Sequence, residues 1–513
     1  MLTNATRRLV DERLAAEVGR IDKDAPTRIG LVYPSPYRVG MSSLGYQRVY
    51  RLIQDSPDMA AERAFLPDGG DAPGAKLSER AVTYENRREL GDFPVLAVSV
   101  AYELELAGLA KLLEASGIPA LAKDRNERHP IILAGGPLTF SNPLPLGAFA
   151  DAIIIGEAEE LAVPALRIAS QMASRSDALS ELAKLDSVYV PSLHGSTLPP
   201  VAACDNALLP AHSTIVTPHT ELSGMFLIEA ERGCSRGCTY CVMRRSTNGG
   251  MRLVPKEVIL GKIPPDARRV GLVGAAVSDH PKIVEIVREL GERGVEVGLS
   301  SLRPDRLKDE FVAALKLAGY RTLTTALDGP SERMRDLIER RGREPHYEAA
   351  AERARKHGMD RLKLYLMIGL PGETDADIDE CVEFVSGLSK IIPIALGIAP
   401  FCAKRKTPLD NSPYAGVQVI QDRLERLRRG LRGRADVRST SARWAWVEYV
   451  LAQGGIPEGE ALLEAVRAGG RFADYRRAFA KLGHSPDGRG YREAVTPLAP
   501  ERLKLRRLSL TGP

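Results

Sequence analysis

From residue 28 onward, short and nearly continuous apolar runs alternate with stretches whose apolar residues recur every three or four positions. RIGLVY (28–33) reads as a strand ended by Pro34 and Pro36, and residues 44–53 carry apolar side chains at helical spacing. VLAVSV (95–100) reads as a second strand, followed by a helix over 103–115. IILA (131–134) runs into Gly135, Gly136 and Pro137, and AIII (152–155) runs into Gly156 and Glu157 before another helix. Strands that are apolar on both faces and separated by helices predict a parallel α/β sheet covered on both sides. In such sheets ligands sit at the carboxyl ends of the strands. Here those ends carry Ser99, Gly135, Gly136 and Gly156, which are small enough to let a large ligand reach the backbone.

Residues 186–222 contain Pro191, Pro199, Pro200, Pro210 and Pro218 with little periodicity, and 191–222 reads as a linker. A second βα series occupies 223–435. Its expected strands are 225–230, 269–273, 296–300, 322–327, 362–368 and 395–400, and its expected helices are 282–293, 305–317, 331–339, 347–357 and 375–388. Ile283, Ile286, Val287 and Leu290 share one face of the first of these helices, which can therefore cover a sheet. Six strands are too few for a closed eight-fold barrel, so a partial barrel or an open sheet is expected. Residues 436–513 read as a small helical C-terminal region.

Hydrophobic residues make up 44% and charged residues 27%, the balance of a soluble globular chain. A net charge of +5 over 71 basic and 66 acidic residues leaves no overall field that would draw nucleic acid or membrane. The local exception is Arg423, Arg426, Arg428, Arg429, Arg432 and Arg434, opposed only by Asp422 and Glu425. That stretch reads first as a solvated helix face and second as a phosphate-binding patch. No run of 18 apolar residues occurs, and the N-terminus lacks a signal-peptide apolar core, so a cytoplasmic location is expected. The expected partners are a small-molecule or peptide substrate rather than nucleic acid or a membrane.

Six cysteines in 513 residues are too sparse for a disulfide framework. Three of them, Cys234, Cys238 and Cys241, stand within eight residues just after an expected strand, so one loop can turn all three sulfurs inward. Three thiolates leave a structural zinc site one ligand short, whereas they can hold three irons of a [4Fe–4S] cluster with the fourth iron open to a small chelator. Zinc would need His219 or Cys204 as a further ligand, and a redox disulfide would leave Cys234 without a role. Cys204, Cys381 and Cys402 stand singly and are expected to be buried and inert, with a substrate-side place at the barrel mouth the alternative for Cys402. Trp444 and Trp446 are expected in the core.

CSRGCTYC after a strand resembles the C-x3-C-x2-C signature of the radical S-adenosylmethionine (SAM) superfamily, including the aromatic residue before the third cysteine. GLVGAAVSDHP, SSLRPD, TALDGPSERMRDLI and KLYLMIGLPGET resemble the successive strand-end segments of such enzymes, in order. The resemblance implies that the amino and carboxylate groups of S-adenosylmethionine chelate the open iron, and that a 5′-deoxyadenosyl radical is produced with an electron from a donor such as flavodoxin or ferredoxin. It implies contacts to that cofactor from Tyr240 (adenine), Gly274 and Ala275 (amino group), and Ser300 and Arg303 (ribose and carboxylate). Asp328 stands where relatives carry Glu, and Met367, Ile368 and Gly369 would wall the adenine. No Gly-Gly-Glu stands at 274, so Ser278 or Asp279 would substitute.

An α/β domain ahead of such a core resembles the Rossmann-like cobalamin-binding domain of the B12-dependent radical SAM class. YPSPYRVGMSSLG, VSVAYELELAGL, IILAGGPLTFSNP and IIIGEAEE look like its strand-end loops. The implied architecture is a cobalamin-binding-type domain (1–190), the linker, a partial (β/α)6 TIM-barrel radical SAM core (223–435) and the helical end. The implied cobalamin contacts are Tyr37, Gly40, Met41, Ser99, Tyr102, Gly135, Gly136, Gly156 and Glu157. No D-x-H-x-x-G stands in the chain, so no histidine is offered as a lower cobalt ligand. The implied activity is cobalamin-dependent methylation of an unactivated carbon. Cyclisation, rearrangement or sulfur insertion without cobalamin is one alternative, and RNA modification through 423–434 is another.

Overall fold

The computed structural model describes residues 3–77, 79–243, 250–300 and 302–488. The chain forms two compact units. The first comprises Met1–Ile228 together with Gly454–His484, and the second comprises Glu229–Gln453 with the residues from Ser485. These divisions differ from the sequence-based boundaries. The expected linker lies within the first unit, and the expected C-terminal region is split between the two. Its part beyond residue 488 lies outside the described residues.

The first unit is built on a six-stranded sheet. Its strands are β1 (Thr27–Pro36), β2 (Met59–Leu66), β3 (Val95–Ser99), β4 (Ile131–Gly135), β5 (Ala152–Ile154) and β6 (Val188–Tyr189). The order is β2-β1-β3-β4-β5-β6, parallel except for β6. This is a doubly wound order with its topological switch between β1 and β3. Ile29, Leu31, Tyr46, Tyr50, Leu133 and Leu166 are among its buried core. The sequence reading missed β2 because Glu62 and Arg63 interrupt its apolar pattern. Both are fully buried, and each is answered by partners. Glu62 accepts from Thr83 Oγ1 (2.7 Å) and Asn86 Nδ2 (2.9 Å), while Arg63 donates to Glu17 (2.7 and 2.8 Å) and Glu85 (2.6 Å). Buried charge is tolerated in a strand only with such pairing.

Residues 191–222 are ordered rather than a free linker. Thr214 and Ile215 donate their amides to Gln47 Oε1, both at 2.9 Å, and Ser213 N donates to Leu227 O. Cys204, Ala211 and Ile215 are buried. The helices Ile456–Ala468 and Phe472–Ala480 pack with the first unit, where Gly459 lies so close to Pro145 O that a Cβ would stand 2.3 Å from it.

The remaining strands are β7 (Phe226–Glu229), β8 (Glu231–Gly233), β9 (Met251–Leu253), β10 (Arg269–Val273), β11 (Glu296–Leu299), β12 (Thr322–Asp328), β13 (Arg361–Ile368), β14 (Ile394–Pro400) and β15 (Ala435–Ser439). One sheet has the order β11-β10-β7, a second is the parallel sheet β12-β13-β14-β15, and β8 pairs with β9 as an antiparallel ribbon. The six expected strands are present, but they stand in two sheets rather than one continuous ladder. Between those sheets Thr325 Oγ1 donates to Leu302 O at 2.8 Å, a side-chain link where a ladder bond would otherwise run. β15 was not expected, since it follows the arginine-rich stretch and is only partly buried. Among the described residues no helix is long and apolar enough to cross a membrane.

Candidate active site

β8 ends at Gly233, whose φ of +96° is a conformation that a side chain would strain, and the chain turns there into the cysteine loop. Arg236 N donates to Cys234 Sγ at 3.4 Å and Cys241 N to Cys238 O at 3.2 Å. Thr239 anchors the loop, donating its amide to Ile338 O and accepting from Leu409 N, both at 3.1 Å. Tyr240 packs on the apolar cluster of Met334, Ile338, Leu370 and Phe401, and its hydroxyl donates to Asp328 Oδ2 at 2.8 Å. All three cysteines are partly buried free thiols. Burial pushes each thiol up, Cys241 to about 11, and each acts electrostatically on its neighbours. Ligation would draw off their protons, as metal binding at thiols does.

Around the loop lies a cleft of about 230 Å³, lined by Arg236, Cys238, Arg303 and Arg340 among others. Ser300 Oγ donates to Gly274 O at 2.6 Å, joining the ends of β10 and β11 beside the loop. Arg303 does not stand free: both its contacts to Asp279 are 2.9 Å. Asp279 also takes Arg236 at 3.2 Å and Arg306 at 3.1 Å. With three guanidinium partners it is not a spare acceptor for an amino group, and Ser278 is buried and accepts from Arg303 N. The residue that sequence reasoning missed is Glu231. It is 1% exposed and lies against Gly274, where a Cβ would stand 2.2 Å from Glu231 Oε1. Ala276 N donates to Oε1 at 2.6 Å, whereas Oε2 is buried without a hydrogen-bond partner. Burial pushes this carboxyl up to about 7. Its signal in the sequence was only a second Glu in the strand before Cys234.

Asp328 ends β12 in the left-handed region (φ +63°) beside a register shift. Such strain in a non-glycine residue persists where the surroundings over-determine it. Here those surroundings are Tyr240 and the Arg340 Nε, the latter at 2.9 Å. Ile368 is fully buried, and Gly369 (φ +82°) lies against Ile420, where a Cβ would stand 2.4 Å from Cδ1. These two residues face the core rather than an open wall. Met367 shares the apolar cluster with Tyr240.

The arginine-rich stretch occupies the helix Val417–Gly430 and the turn after it. Arg423 is buried and donates to Glu373 Oε1 at 2.8 Å, while Arg426 takes Asp379 at 2.6 Å. Arg428 and Arg434 donate to Ser439 and Ser386. The stretch is therefore largely engaged within its own unit. Cys381 is buried and pushed up to about 12, and Trp446 is buried with Nε1 on Ser485 O. Cys402 Sγ donates to Ala445 O at 3.1 Å.

The donor set fits an iron–sulfur cluster bearing S-adenosylmethionine. Three thiols from one loop leave one iron of a four-iron cluster open, and the orphan Glu231 oxygen offers an acceptor close to Cys234. Cobalamin fits less well. At the carboxyl edge of the first unit's sheet, Gly136 faces Val100 O, and a Cβ there would stand 2.6 Å from it. Gly156 faces Ala202 O at 2.5 Å by the same measure. Glu105, buried, accepts from Ser35 Oγ (3.0 Å) and Ala101 N (2.6 Å), joining the loops on either side of the topological switch. Tyr37 is buried with its hydroxyl on Glu17, Gly40 lies on Phe65, and Met41 lies against Arg63. Ser99 is buried, and the buried Glu157 accepts from Cys204 N. Of the expected cobalamin contacts, Tyr102 is exposed, and Gly135 and Gly136 are partly so. At Gly136 and Gly156 the space expected to admit a ligand is instead taken by the protein's own backbone, whereas Gly135 has only ordinary contacts.

Cys204 and His219 both belong to the first unit, where Cys204 stands beside Glu157 and Glu159 and His219 faces Glu12 at 3.9 Å.

Comparison with known proteins places these features. An uncharacterised protein of Methanocaldococcus jannaschii, MJ0966, is 27% identical over 75% of this chain and 80% of its own length. The ribosomal protein uS12 methylthiotransferase RimO of Geobacter sulfurreducens is 25% identical over 46% of this chain. A GTP 3′,8-cyclase of Microcystis aeruginosa is 28% identical over 29% of it. The chain spans about half the length of those two enzymes, 56% and 48% respectively. Among solved structures, the cobalamin-dependent S-adenosylmethionine radical enzyme OxsB aligns with a TM-score of 0.48 at 12% identity, over 79% of this chain and 56% of that one. Residues 45–191 match the family described as radical SAM proteins, N-terminal, and residues 228–385 match the radical SAM superfamily. Both matched families lead to one conclusion, and the second match encloses the cysteine loop and the strand ends around it: the chain belongs to the radical SAM superfamily.

Proposed function

We propose that this chain holds a [4Fe–4S] cluster on Cys234, Cys238 and Cys241 and reductively cleaves S-adenosylmethionine, using the resulting radical to take hydrogen from a small-molecule or peptide substrate. The observation that carries this reading is three free thiols on one anchored loop, of which Cys238 lines a cleft. When bound, the cluster and S-adenosylmethionine supply a 5′-deoxyadenosyl radical; the protein binds, orients and excludes water. Tyr240 and Met367 supply an apolar wall, Glu231 an acceptor for the amino group, and Ser300 a fixed hydroxyl at the end of β11. An acidic one-electron donor of the flavodoxin or ferredoxin type would supply the electron.

Methyl transfer through cobalamin is the finer reading that the N-terminal loops imply, and the close backbone approaches at Gly136 and Gly156, with the buried Glu105 bridge, weigh against it. We favour radical chemistry without cobalamin.

The test is anaerobic reconstitution with iron and sulfide, reduction by dithionite, and chromatography for 5′-deoxyadenosine and methionine. The proposal expects both products in equal amounts. An intact cluster that leaves S-adenosylmethionine uncleaved would defeat it. Reconstitution with hydroxocobalamin, followed by desalting, separates the two finer readings. Clearly substoichiometric cobalt is expected, whereas cobalt near one per chain would restore methyl transfer.

A further inference from the structure

One cation in the cleft is held differently from the others. Arg340 is mostly buried, with its Nε 2.9 Å from Asp328 Oδ2 and an NH2 donating to Ala326 O at 3.3 Å. Tyr240 donates to the same Asp328 oxygen at 2.8 Å. Asp328 takes a left-handed backbone to present that oxygen. Arg340 and Cys238 line the same cleft, and the Asp328 oxygen that holds Arg340 also holds Tyr240, two residues along the loop from Cys238. Of the other arginines that line the cleft, Arg236 and Arg303 are drawn to Asp279 and Arg341 is exposed.

A thiolate-bound cluster is anionic, and one electron makes it more negative. A fixed cation beside one of its sulfurs stabilises the reduced form more than the oxidised form, and burial strengthens the effect. A guanidinium suits the task because its planar fork can hold a carboxylate with one edge and face a sulfur with another.

We propose that Arg340, held by an Asp328 that Tyr240 also anchors, is a positioning residue that fixes positive charge beside the cysteine loop and so raises the reduction potential of the cluster bound there. The inference rests on Cys234, Cys238 and Cys241 being cluster ligands.

The experiment is a dithionite titration of anaerobically reconstituted full-length protein, followed by visible and electron paramagnetic resonance spectra. One electron passes from the reductant to the cluster. Arg340→Gln should shift the midpoint to lower potential, so that a several-fold smaller fraction is reduced at a fixed dithionite potential. Arg340→Lys should recover most of that loss. Asp328→Asn removes a negative charge and should shift the midpoint the opposite way. Opposite shifts are the mark of electrostatics, because a merely structural disturbance would not reverse sign between the two variants. An unmoved midpoint in Arg340→Gln with normal iron content overturns the proposal, as do shifts of the same sign in both variants. If Arg340→Gln takes up no cluster, Asp328→Asn decides: an upward shift supports the proposal and anything else overturns it. A wild-type chain that binds no iron would instead remove the cluster reading itself.

Discussion

Replacing Arg423 by Met isolates the role of the arginine-rich stretch. Glu373 is fully buried at the G-L-P-G-E turn after β13. Its carboxylate accepts from Gly369 N at 2.9 and 3.0 Å, from Leu370 N at 3.3 Å and from Arg423 at 2.8 Å. Burial pushes its carboxyl up to about 7, and Arg423 is the main opposing influence. Deleting one partner of a buried pair costs about 3–5 kcal/mol, because the other charge is left uncompensated. For a unit of this size that corresponds to a fall in melting temperature of roughly 10 °C, at about 2–4 °C per kcal/mol.

The pH dependence has a definite sign. Without Arg423, the Glu373 carboxyl moves further above its unfolded value. Its contribution to stability is then present below the ordinary carboxylate range and is lost as pH rises through the raised value. The gap between wild type and variant should therefore widen from pH 5 to pH 8. Urea titration of the metal-free protein followed by tryptophan fluorescence reads the right unit, since the chain's two tryptophans, Trp444 and Trp446, both belong to the second unit. Adding Glu373→Gln to Arg423→Met should close most of the gap. A single variant within about 1 kcal/mol of wild type at pH 8 would refute the reasoning.

Two further outcomes concern the first unit. Gly156→Ala must place a methyl 2.5 Å from Ala202 O at a φ of +104°, and should cost at least about 2 kcal/mol; faster hydrogen exchange across 188–216 would register the loss, and unchanged protection would show that the edge is not closed there. Burial holds the Glu105 carboxyl above its ordinary range, so the stability it contributes is greatest at low pH and fades as pH rises through the raised value. Glu105→Gln should flatten that slope in thermal melts between pH 5 and pH 8.

The parts of the fold that the sequence displayed were those where burial follows apolar pattern. β1, β3, β4 and β5, and the six expected strands of the second series, came within a few residues of their observed bounds, because their apolar positions either run together, as in β3 and β4, or alternate with polar ones, as in β13. β2 was hidden because its centre is an ion-pair network completed by Glu17 and Glu85, far away in sequence. The return of 454–484 to the first unit was equally invisible, since it depends on helix packing between distant segments. In the site, the cysteine spacing was sufficient to single out three thiols that one loop carries together, free and partly buried. Glu231, Arg340 and the triple pairing of Asp279 were not legible, because their roles arise only when separate strand ends are brought together. Gly136 and Gly156 were legible as places of close approach, but a glycine does not say what approaches it, and there it is the backbone of Val100 and Ala202.

The most direct test of the central claim is the iron and acid-labile sulfide content of the anaerobically reconstituted chain, compared with Cys238→Ala. The account expects a four-iron cluster with its broad visible absorption in the wild type, and loss of both iron and absorption in the variant. Zinc bound without iron or sulfide, or iron content unchanged by Cys238→Ala, would contradict it.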